Sequence, residues 1–263
     1  MAEDDARERA RTDRRGDERG LGARFGAAVR EIVVVLAMAL ALSFIVKTFL
    51  VQAFFIPSES MEDTLLVGDR VVVSKLTPGP FTIARGDIVV FEDPGDWLSP
   101  TVQTNRGAVL NGIRDGLMFV GLIPDTSEGH LIKRVIGVPG DHVQCCDAEG
   151  RLLINGEPVD ERAYLKPGVS ASDQEFDITV PNARVWVMGD NRSDSSDSRF
   201  HDPDGDGKNG SVPIDLVVGK AAATVWPFDR MSRLSTKGDV FSEVPDAGSN
   251  RSLGPPAREP RTP

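Results

Sequence analysis

A single long apolar segment constrains this chain more than any other feature. Residues 32–46 contain only one polar side chain, Ser43, and a second apolar piece at 49–51 follows Lys47. If the Lys47 amine reaches the lipid headgroups, the combined segment approaches the ~20 residues that a helix needs to cross a bilayer. We therefore predict a transmembrane anchor at residues 32–53, in contact with a lipid bilayer.

A cleaved signal peptide is the alternative interpretation, because its apolar core has a similar length and also follows positive charges. Residues 47–55, however, are bulky where a cleavage site must be small. Arginines crowd the N-terminal side of the segment, and no Lys or Arg occurs between Lys47 and Arg70. The positive-inside rule then predicts a single-pass protein of the plasma membrane, with a cytoplasmic N-terminus and an extracytoplasmic main body.

Both ends of the chain have the composition of disordered segments. Residues 1–31 carry eight arginines and eight acidic residues with almost no large apolar side chains, and residues 235–263 are rich in Pro, Gly, Ser and charge. Such segments cannot bury enough apolar surface to fold. We expect a disordered cytoplasmic tail at 1–31, a folded domain at 54–234 and a disordered tail at 235–263. The net charge of −10 argues against nucleic acid as a partner, because phosphate binding requires clustered Lys and Arg.

The folded domain is predicted to be mainly β. Short runs rich in β-branched residues alternate with Gly-Asp, Pro-Gly and Asn-Gly turns, and Asn155-Gly156 has the sequence of a hairpin tip. Residues 94–129 lack this alternation and form an insert, which is either a short amphipathic helix or a flap against the bilayer. The expected fold class is a single N-terminal transmembrane helix followed by a β-rich domain.

The only two cysteines, Cys145 and Cys146, are adjacent. They can build neither a disulfide framework nor a four-cysteine zinc site. A disulfide between neighbouring residues would be strained. Two separate, small, partly buried side chains are therefore the favoured interpretation.

Two serines, Ser58 and Ser60, follow the predicted anchor closely, where a structural loop has little use for two hydroxyls. The three histidines of the chain show no triad pattern. The alternative base for a serine is a lysine whose pKa is lowered by burial. Lys133 is the best placed, inside a predicted core strand, although a position at a sheet edge facing water explains its sequence equally well.

A third unusual segment, residues 189–200, places short polar side chains directly after a predicted strand. It has the composition of a simple polar turn, in which Asp and Ser side chains bond to the local backbone. It is equally compatible with a segment that orients a neutral lysine through a hydroxyl group. The residues by themselves leave both interpretations open.

Four segments of the chain form an ordered set. They are Ser58-Glu-Ser-Met-Glu-Asp-Thr-Leu, Arg85-Gly-Asp-Ile-Val-Val-Phe, Lys133-Arg-Val-Ile-Gly-Val-Pro-Gly-Asp and Gly189-Asp-Asn-Arg-Ser-Asp-Ser-Ser-Asp-Ser-Arg. In this order after an apolar segment, they resemble the signature boxes of bacterial type I signal peptidases, peptidase family S26. The resemblance runs from the anchor to about Pro227 and leaves out both tails and the insert.

The resemblance implies a membrane-bound serine endopeptidase with a Ser/Lys dyad, in which Ser60 is the nucleophile and Lys133 the general base. It also implies that the Ser58 hydroxyl and the Ser60 backbone N–H form the oxyanion hole. In the mechanism of this family, Ser60 attacks the peptide carbonyl and Lys133 takes its proton. Lys133 then protonates the leaving amine, and water releases the acyl-enzyme.

The last box implies three further residues that support the dyad. Ser195 matches the serine that positions the lysine amine, and Asp197 and Arg199 match a charged pair. The implied substrates are secretory preproteins with small residues at positions −1 and −3 of the signal peptide. The resemblance implies no cofactor and no metal. The acidic loop that begins at Asp202 matches only the first half of a calcium loop, because its twelfth position is Pro213 instead of Glu.

Two departures from the family pattern occur, at Asp63 and Phe200. Asp63 stands where the family usually has Pro, and Phe200 where it often has Tyr. Because Asp63 adds a charge near Ser60, an alternative function is a catalytically silent, membrane-anchored β-module that binds exported proteins. A second alternative is a self-cleaving Ser/Lys protease of the repressor type, for which a membrane anchor would be out of place.

Overall fold

The computed structural model of the chain describes residues 26–46, 48–95, 97–98 and 129–247. Nearly all of the predicted insert at 94–129 lies outside this part, as do residues 1–25 of the predicted N-terminal tail and residues 248–263. Two compact units divide the chain, Met1–Lys47 and Thr48–Pro263. The described part of the first unit is one helix, α1 (Gly26–Val46), which has 21 residues and a mean hydropathy of 2.4. By length and composition it can cross a membrane.

The second unit is built from β-strands. The strands of its described part are β1 (Val51–Phe55), β2 (Arg70–Ser74), β3 (Ile88–Glu92), β4 (His130–Gly137), β5 (His142–Cys145), β6 (Leu152–Ile154), β7 (Glu157–Val159), β8 (Phe176–Thr179), β9 (Arg184–Met188), β10 (Val212–Pro213), β11 (Val217–Trp226) and β12 (Ser232–Arg233). Short 3-10 helices lie at Glu161–Ala163, Arg192–Asp194, Ser198–Phe200, Ile214–Leu216, Phe228–Arg230 and Gly238–Phe241. One N-terminal apolar helix and a β-rich domain confirm the predicted fold class.

These strands form two antiparallel sheets. The larger has the order β1-β2-β11-β3-β4-β9-β10, with β12 paired to β11, and the smaller has the order β7-β6-β5-β8. Asn155 and Gly156 connect β6 to β7 with φ values of +54° and +85°. Positive φ at both positions is what a tight two-residue hairpin requires, as the Asn-Gly pair predicts.

Strand β4 lies in the middle of the larger sheet, between β3 and β9. Residues 131–137 of this strand are all buried. Its apolar side chains enter three different core clusters, with Ile132, Val135 and Ile136 each in a separate one. A lysine in this strand therefore does not lie at a sheet edge, which removes the surface interpretation of Lys133.

Several predicted boundaries differ from the structure. Residues 51–53 of the predicted anchor belong to β1, because this strand pairs with β2 and Phe54 is buried in the core. The helix begins at Gly26, six residues before the predicted anchor. Residues 235–247 of the predicted disordered tail pack on the domain, because Phe241 and Val244 are buried in the cluster under the smaller sheet.

The cysteine pair also differs from the favoured prediction. Cys145 and Cys146 are joined by a disulfide at the end of β5. Both residues are half-buried and pack against the core cluster under the smaller sheet. The sequence favoured two separate cysteine side chains, whereas the structure shows the disulfide.

Candidate active site

The nucleophile candidate Ser60 lies in a tight turn between β1 and β2. Met61 and Leu65, both fully buried, fix this turn to the core, and the Leu65 N–H donates to the Met61 carbonyl at 2.7 Å. The base of the loop is closed by Ile56, whose N–H donates to the Asp69 carbonyl at 2.9 Å. Apolar residues on both sides of a polar turn therefore hold Ser60 in a nearly water-free position, with 6% of its surface exposed.

The side chain of Lys133 on β4 contacts this turn. Its Nζ lies 2.5 Å from the Ser60 Oγ, although 73 residues separate the two in the sequence. Only 4% of Lys133 is exposed. The lysine amine, a potential base, is thus in hydrogen-bonding contact with the hydroxyl that it would deprotonate.

Burial lowers the pKa of Lys133 from 10.5 to about 8. The cause is the loss of hydration of the ammonium form, which the neutral amine avoids. The Asp197 and Asp190 carboxylates oppose this shift, whereas the Arg199 guanidinium assists it. With this pKa of about 8, roughly a tenth of the lysine is neutral at pH 7, against fewer than about one molecule in a thousand at the ordinary value of 10.5. The shift therefore enlarges the neutral population that a general base needs.

Ser58 and the backbone of Ser60 provide hydrogen-bond donors on the same turn. The two hydroxyl oxygens lie 3.4 Å apart, and the Ser58 side chain faces solvent. In the described part of the chain, the Ser60 N–H donates to no protein acceptor. Two donors, one hydroxyl and one free amide, are thus available to a ligand at Ser60.

Asp197 and Arg199 form a buried pair behind the dyad. The Arg199 Nε donates to Asp197 Oδ1 at 2.9 Å and Nη2 donates to Oδ2 at 3.0 Å. Burial acts to raise the pKa of Asp197, but the hydrogen bonds and charge of Arg199 hold it below its usual value, with help from the Gly189 N–H. Asp197 therefore remains ionised near Lys133 and favours the ammonium form that catalysis would create.

Ser195 lies between the two 3-10 helices Arg192–Asp194 and Ser198–Phe200, and only 6% of it is exposed. Its Oγ lies close enough to Asp197 to help lower the pKa of that carboxyl. The contact does not have the geometry of a hydrogen bond, and among the described residues this hydroxyl has no hydrogen-bond partner. Its predicted contact with the Lys133 amine is not present.

Comparisons with known proteins place this arrangement in a family. The family model described as signal peptidase, peptidase S26, matches residues 29–226. The chain belongs to this signal peptidase family. A probable signal peptidase I of Mycobacterium leprae (strain TN) is 38% identical over 230 residues, covering 78% of each chain. A signal peptidase I of Mycobacterium tuberculosis (strain CDC 1551 / Oshkosh) is 40% identical over 223 residues, covering 78% of this chain and 74% of the relative.

Among solved structures, a signal peptidase I from Enterococcus faecalis V583 is similar over 53% of this chain and 97% of its own, with 24% identity and a TM-score of 0.32. The resemblance predicted from the four boxes is confirmed by the family model and the relatives. Family membership also confirms the predicted enzyme class, a serine peptidase of the signal peptidase I type.

A charged network in this signal peptidase was missed by sequence reasoning. Arg134 and Asp190, both fully buried, make two hydrogen bonds of 2.8 and 2.6 Å. Thr64, four residues after Ser60, donates its hydroxyl to the same carboxylate at 2.6 Å. Because Arg134 is the neighbour of Lys133, the network joins strand β4 to the turn that carries Ser60. All three residues lie inside the signature boxes, but nothing in their spacing pairs them.

A second buried pair supports the segment after β9. Arg192 donates to both carboxylate oxygens of Glu161, and both side chains are 1% exposed. Burial acts against the charge of Arg192, yet Glu161 raises its pKa above the usual value. Several buried charged side chains therefore hold residues 189–199 in place.

The acidic loop after Phe200 satisfies its carboxylates locally. Asp202 Oδ2 accepts from the Gly207 N–H at 2.9 Å, and Asp206 Oδ2 lies 2.8 Å from Lys208 Nζ. Within the part of the chain that the structure describes, no group of three or more His, Cys, Asp and Glu side chains is arranged to hold a metal ion. His201 lies beside this loop and stacks on Trp97 with ring centroids 4.3 Å apart.

Proposed function

We propose that this chain is a membrane-anchored signal peptidase I that removes signal peptides from secretory preproteins through a Ser60/Lys133 acyl-enzyme mechanism. The observation that carries the proposal is the 2.5 Å contact between Lys133 Nζ and Ser60 Oγ, made by a lysine whose pKa is lowered to about 8. A buried lysine of this kind is rare in a core strand unless it has a chemical role.

In the first step, Ser60 Oγ attacks the carbonyl carbon of the scissile peptide while Lys133 takes the hydroxyl proton. The developing oxyanion accepts hydrogen bonds from the Ser58 hydroxyl and the Ser60 N–H. When the C–N bond breaks, the Lys133 ammonium protonates the leaving amine and the acyl group stays on Ser60. Lys133 then deprotonates a water molecule, which attacks the ester carbon. When the bond to Ser60 Oγ breaks, the Lys133 ammonium returns the proton to Ser60 and the new carboxyl terminus leaves.

Three residues assist without touching the scissile bond. Asp197, held by Arg199, stabilises the ammonium form of Lys133 after the first proton transfer. Ser195 is the residue that the family resemblance implies positions the lysine amine. Its buried hydroxyl has no hydrogen-bond partner among the described residues, so it can bond to the amine when the amine moves. These roles make all three positioning residues.

The helix Gly26–Val46 serves as the anchor, with the N-terminus in the cytoplasm of a single-pass plasma-membrane protein and the catalytic domain outside. The arginines before residue 31 support this orientation. The substrates are preproteins with small residues at −1 and −3. The contact between Ser60 and Lys133 favours an enzyme over a silent binding module.

Cleavage of a preprotein carrying Ala-x-Ala tests the mechanism. The detergent-solubilised full chain is incubated with the preprotein beside Ser60→Ala and Lys133→Ala variants, and Lys208→Ala serves as a matched surface control. We expect the wild type and the control to cut and both dyad variants to lose activity by more than about a thousandfold. An uncut preprotein in the wild-type reaction, or equal cleavage by all four chains, contradicts the proposal.

Protease added to intact spheroplasts tests the orientation. The domain from Thr48 onward should be digested from outside while the segment before Gly26 is protected. Protection of the domain would reverse the proposed topology.

A further inference from the structure

Asn191 is bonded to the nucleophile turn at two consecutive peptide groups. Its backbone N–H donates to the Ser60 carbonyl at 3.1 Å, and its side-chain Nδ2 donates to the Glu59 carbonyl at 3.2 Å. Asn191 is 1% exposed, so these donors have no competing water. One residue thus holds the peptide group before Ser60 as well as the one after it.

The second of these contacts helps to fix the direction of the proposed oxyanion donor, together with the Glu62 N–H, which donates to the same Glu59 carbonyl at 2.9 Å. The peptide bond between Glu59 and Ser60 is trans, and in a trans peptide the C=O and N–H point in opposite directions. A hydrogen bond that holds the Glu59 carbonyl towards Asn191 therefore turns the Ser60 N–H away from it. That N–H is the amide that donates to no acceptor in the described part of the chain.

Glu62 and Lys166 hold the Asn191 side chain in turn. Glu62 Oε2 accepts from Asn191 Nδ2 at 3.4 Å and from Lys166 Nζ at 2.6 Å. The Lys166 backbone N–H donates to the Asp190 carbonyl at 3.1 Å, next to Asn191 in the chain. These contacts form a closed ring. Glu62, in the Ser60 turn, bonds to Lys166, Lys166 bonds to the 190–191 peptide, and Asn191 bonds back to the Ser60 turn.

We propose that Asn191, Glu62 and Lys166 form an amide clamp whose function is to aim the Ser60 N–H at the oxyanion. The inference rests on the proposed peptidase function and adds three positioning residues to it. Glu62 and Lys166 are each about one-third exposed, with side-chain exposures of 32% and 36%. An ion pair this exposed contributes little to stability, so its geometric effect on Asn191 is the property to test.

The clamp predicts a loss of kcat without a loss of substrate binding. Asn191→Asp keeps the shape but replaces the donor by an oxygen that repels the Glu59 carbonyl. Removing a whole oxyanion donor lowers kcat by about 10² to 10³, so we expect about a 10²-fold loss for Asn191→Asp and about 10-fold for Glu62→Ala and Lys166→Ala. Glu62→Gln keeps an acceptor oxygen and should recover most of the activity.

Four readouts separate this role from a merely structural one. KM for the preprotein and the apparent pKa of kcat/KM should not change, because Lys133 is not part of the clamp. The affinity of a peptide aldehyde ending in Ala-x-Ala, which forms a tetrahedral adduct on Ser60, should fall by the same factor as kcat. In a double variant of Glu62 and Lys166, the losses should be far from additive because both act through Asn191.

The control is Lys208→Ala, which breaks an exposed pair of similar length, 2.8 Å between Lys208 and Asp206, away from the clamp. Tm is measured for every variant. If Asn191→Asp and Glu62→Ala keep the wild-type kcat, or lose activity only through KM or in proportion to a fall in Tm, the clamp is wrong. If the wild type itself leaves the preprotein intact, the peptidase proposal falls first and the clamp with it.

Discussion

Gly189 and Ser195 approach each other so closely that no side chain fits at position 189. A Cβ on Gly189 would lie 2.3 Å from the Ser195 Oγ and 2.4 Å from the Ser60 carbonyl oxygen. The second atom is backbone and cannot rotate away. We therefore expect Gly189→Ala to displace the nucleophile turn and to lower kcat/KM by about 10²-fold, as a misplacement near 1 Å does.

Steady-state cleavage of the preprotein measures this effect. Gly238→Ala is the matched control, because the nearest atom to its added Cβ is 3.9 Å away. Equal activity of the two alanine variants would show that the tight packing at residue 189 is not needed for catalysis.

The lowered pKa of Lys133 predicts the pH dependence of cleavage. In the proposed mechanism the neutral amine is the active form, so kcat/KM should rise with pH and level off above the lysine pKa of about 8. The measurement is kcat/KM for one preprotein between pH 6 and 10. A profile that stays flat from pH 6 to 9 would exclude a titrating lysine as the base.

The same pKa shift predicts that Lys133 destabilises the domain. The folded-state pKa lies below the unfolded value, so the cost is complete below pH 8 and disappears as the pH rises from about 8 to 10.5. Lys133→Met should therefore raise the free energy of unfolding at pH 7 by up to about 3 kcal/mol. Urea unfolding at pH 7 and pH 10.5 measures it, and an equal gain at both values would contradict the prediction.

Asp63 has a backbone conformation that proline cannot adopt. Its φ is +80°, whereas the proline ring fixes φ near −65°. Although the family usually has Pro here, we expect Asp63→Pro to lower the free energy of unfolding by about 2 kcal/mol and to reduce cleavage. Asp63→Gly should stabilise the turn by up to about 1 kcal/mol.

Asp63→Asn separates backbone shape from charge. The side chain is exposed, so we expect this variant to cleave the preprotein at the wild-type rate. Thermal unfolding and cleavage rates of the three variants give the comparison. A large gain of activity in Asp63→Asn would mean that the carboxylate, rather than the backbone, limits the site.

The segment after β12 should contribute to stability. Phe241 is 5% exposed and stacks with Tyr164 at a centroid distance of 6.4 Å. We expect Phe241→Ala to lower the free energy of unfolding by about 3 kcal/mol, against no change for the exposed Glu243→Ala. Termination after residue 247 retains every described contact and should match the full chain. An unchanged Tm for Phe241→Ala would mean that the folded domain ends at residue 234, as the sequence predicted.

Local signals drew attention to Ser60 and Lys133, and the resemblance of the four boxes to signal peptidases then implied their roles as a dyad. A lysine inside a β-branched run is costly to bury, and two serines after an apolar segment are out of place. The tight hairpin at Asn155 and Gly156 follows in the same way from residues that tolerate positive φ. A sequence alone points to such residues when a side chain is unusual for the structure that its neighbours predict.

The parts that could not be predicted depend on partners far apart in the chain. Arg134 meets Asp190 and Thr64 only through the order of the strands, which a single sequence does not give. Phe241 is one aromatic residue in a polar segment, so composition hides its burial. Asn191 contacts the Ser60 and Glu59 carbonyls and the Glu62 side chain. Two of these partners are backbone groups, whose directions no side-chain pattern encodes.

The contacts of Gly86 determine where a purification tag can be placed. Its carbonyl accepts a hydrogen bond of 2.8 Å from Arg134 Nη1, beside the base on β4. On its other side the same glycine touches the Thr236 carbonyl so closely that a Cβ would lie 2.0 Å from that oxygen. A purification tag that replaces residues 235–247 would therefore remove the support behind Arg134 and alter the enzyme being measured, whereas a tag added after residue 263 leaves these contacts intact.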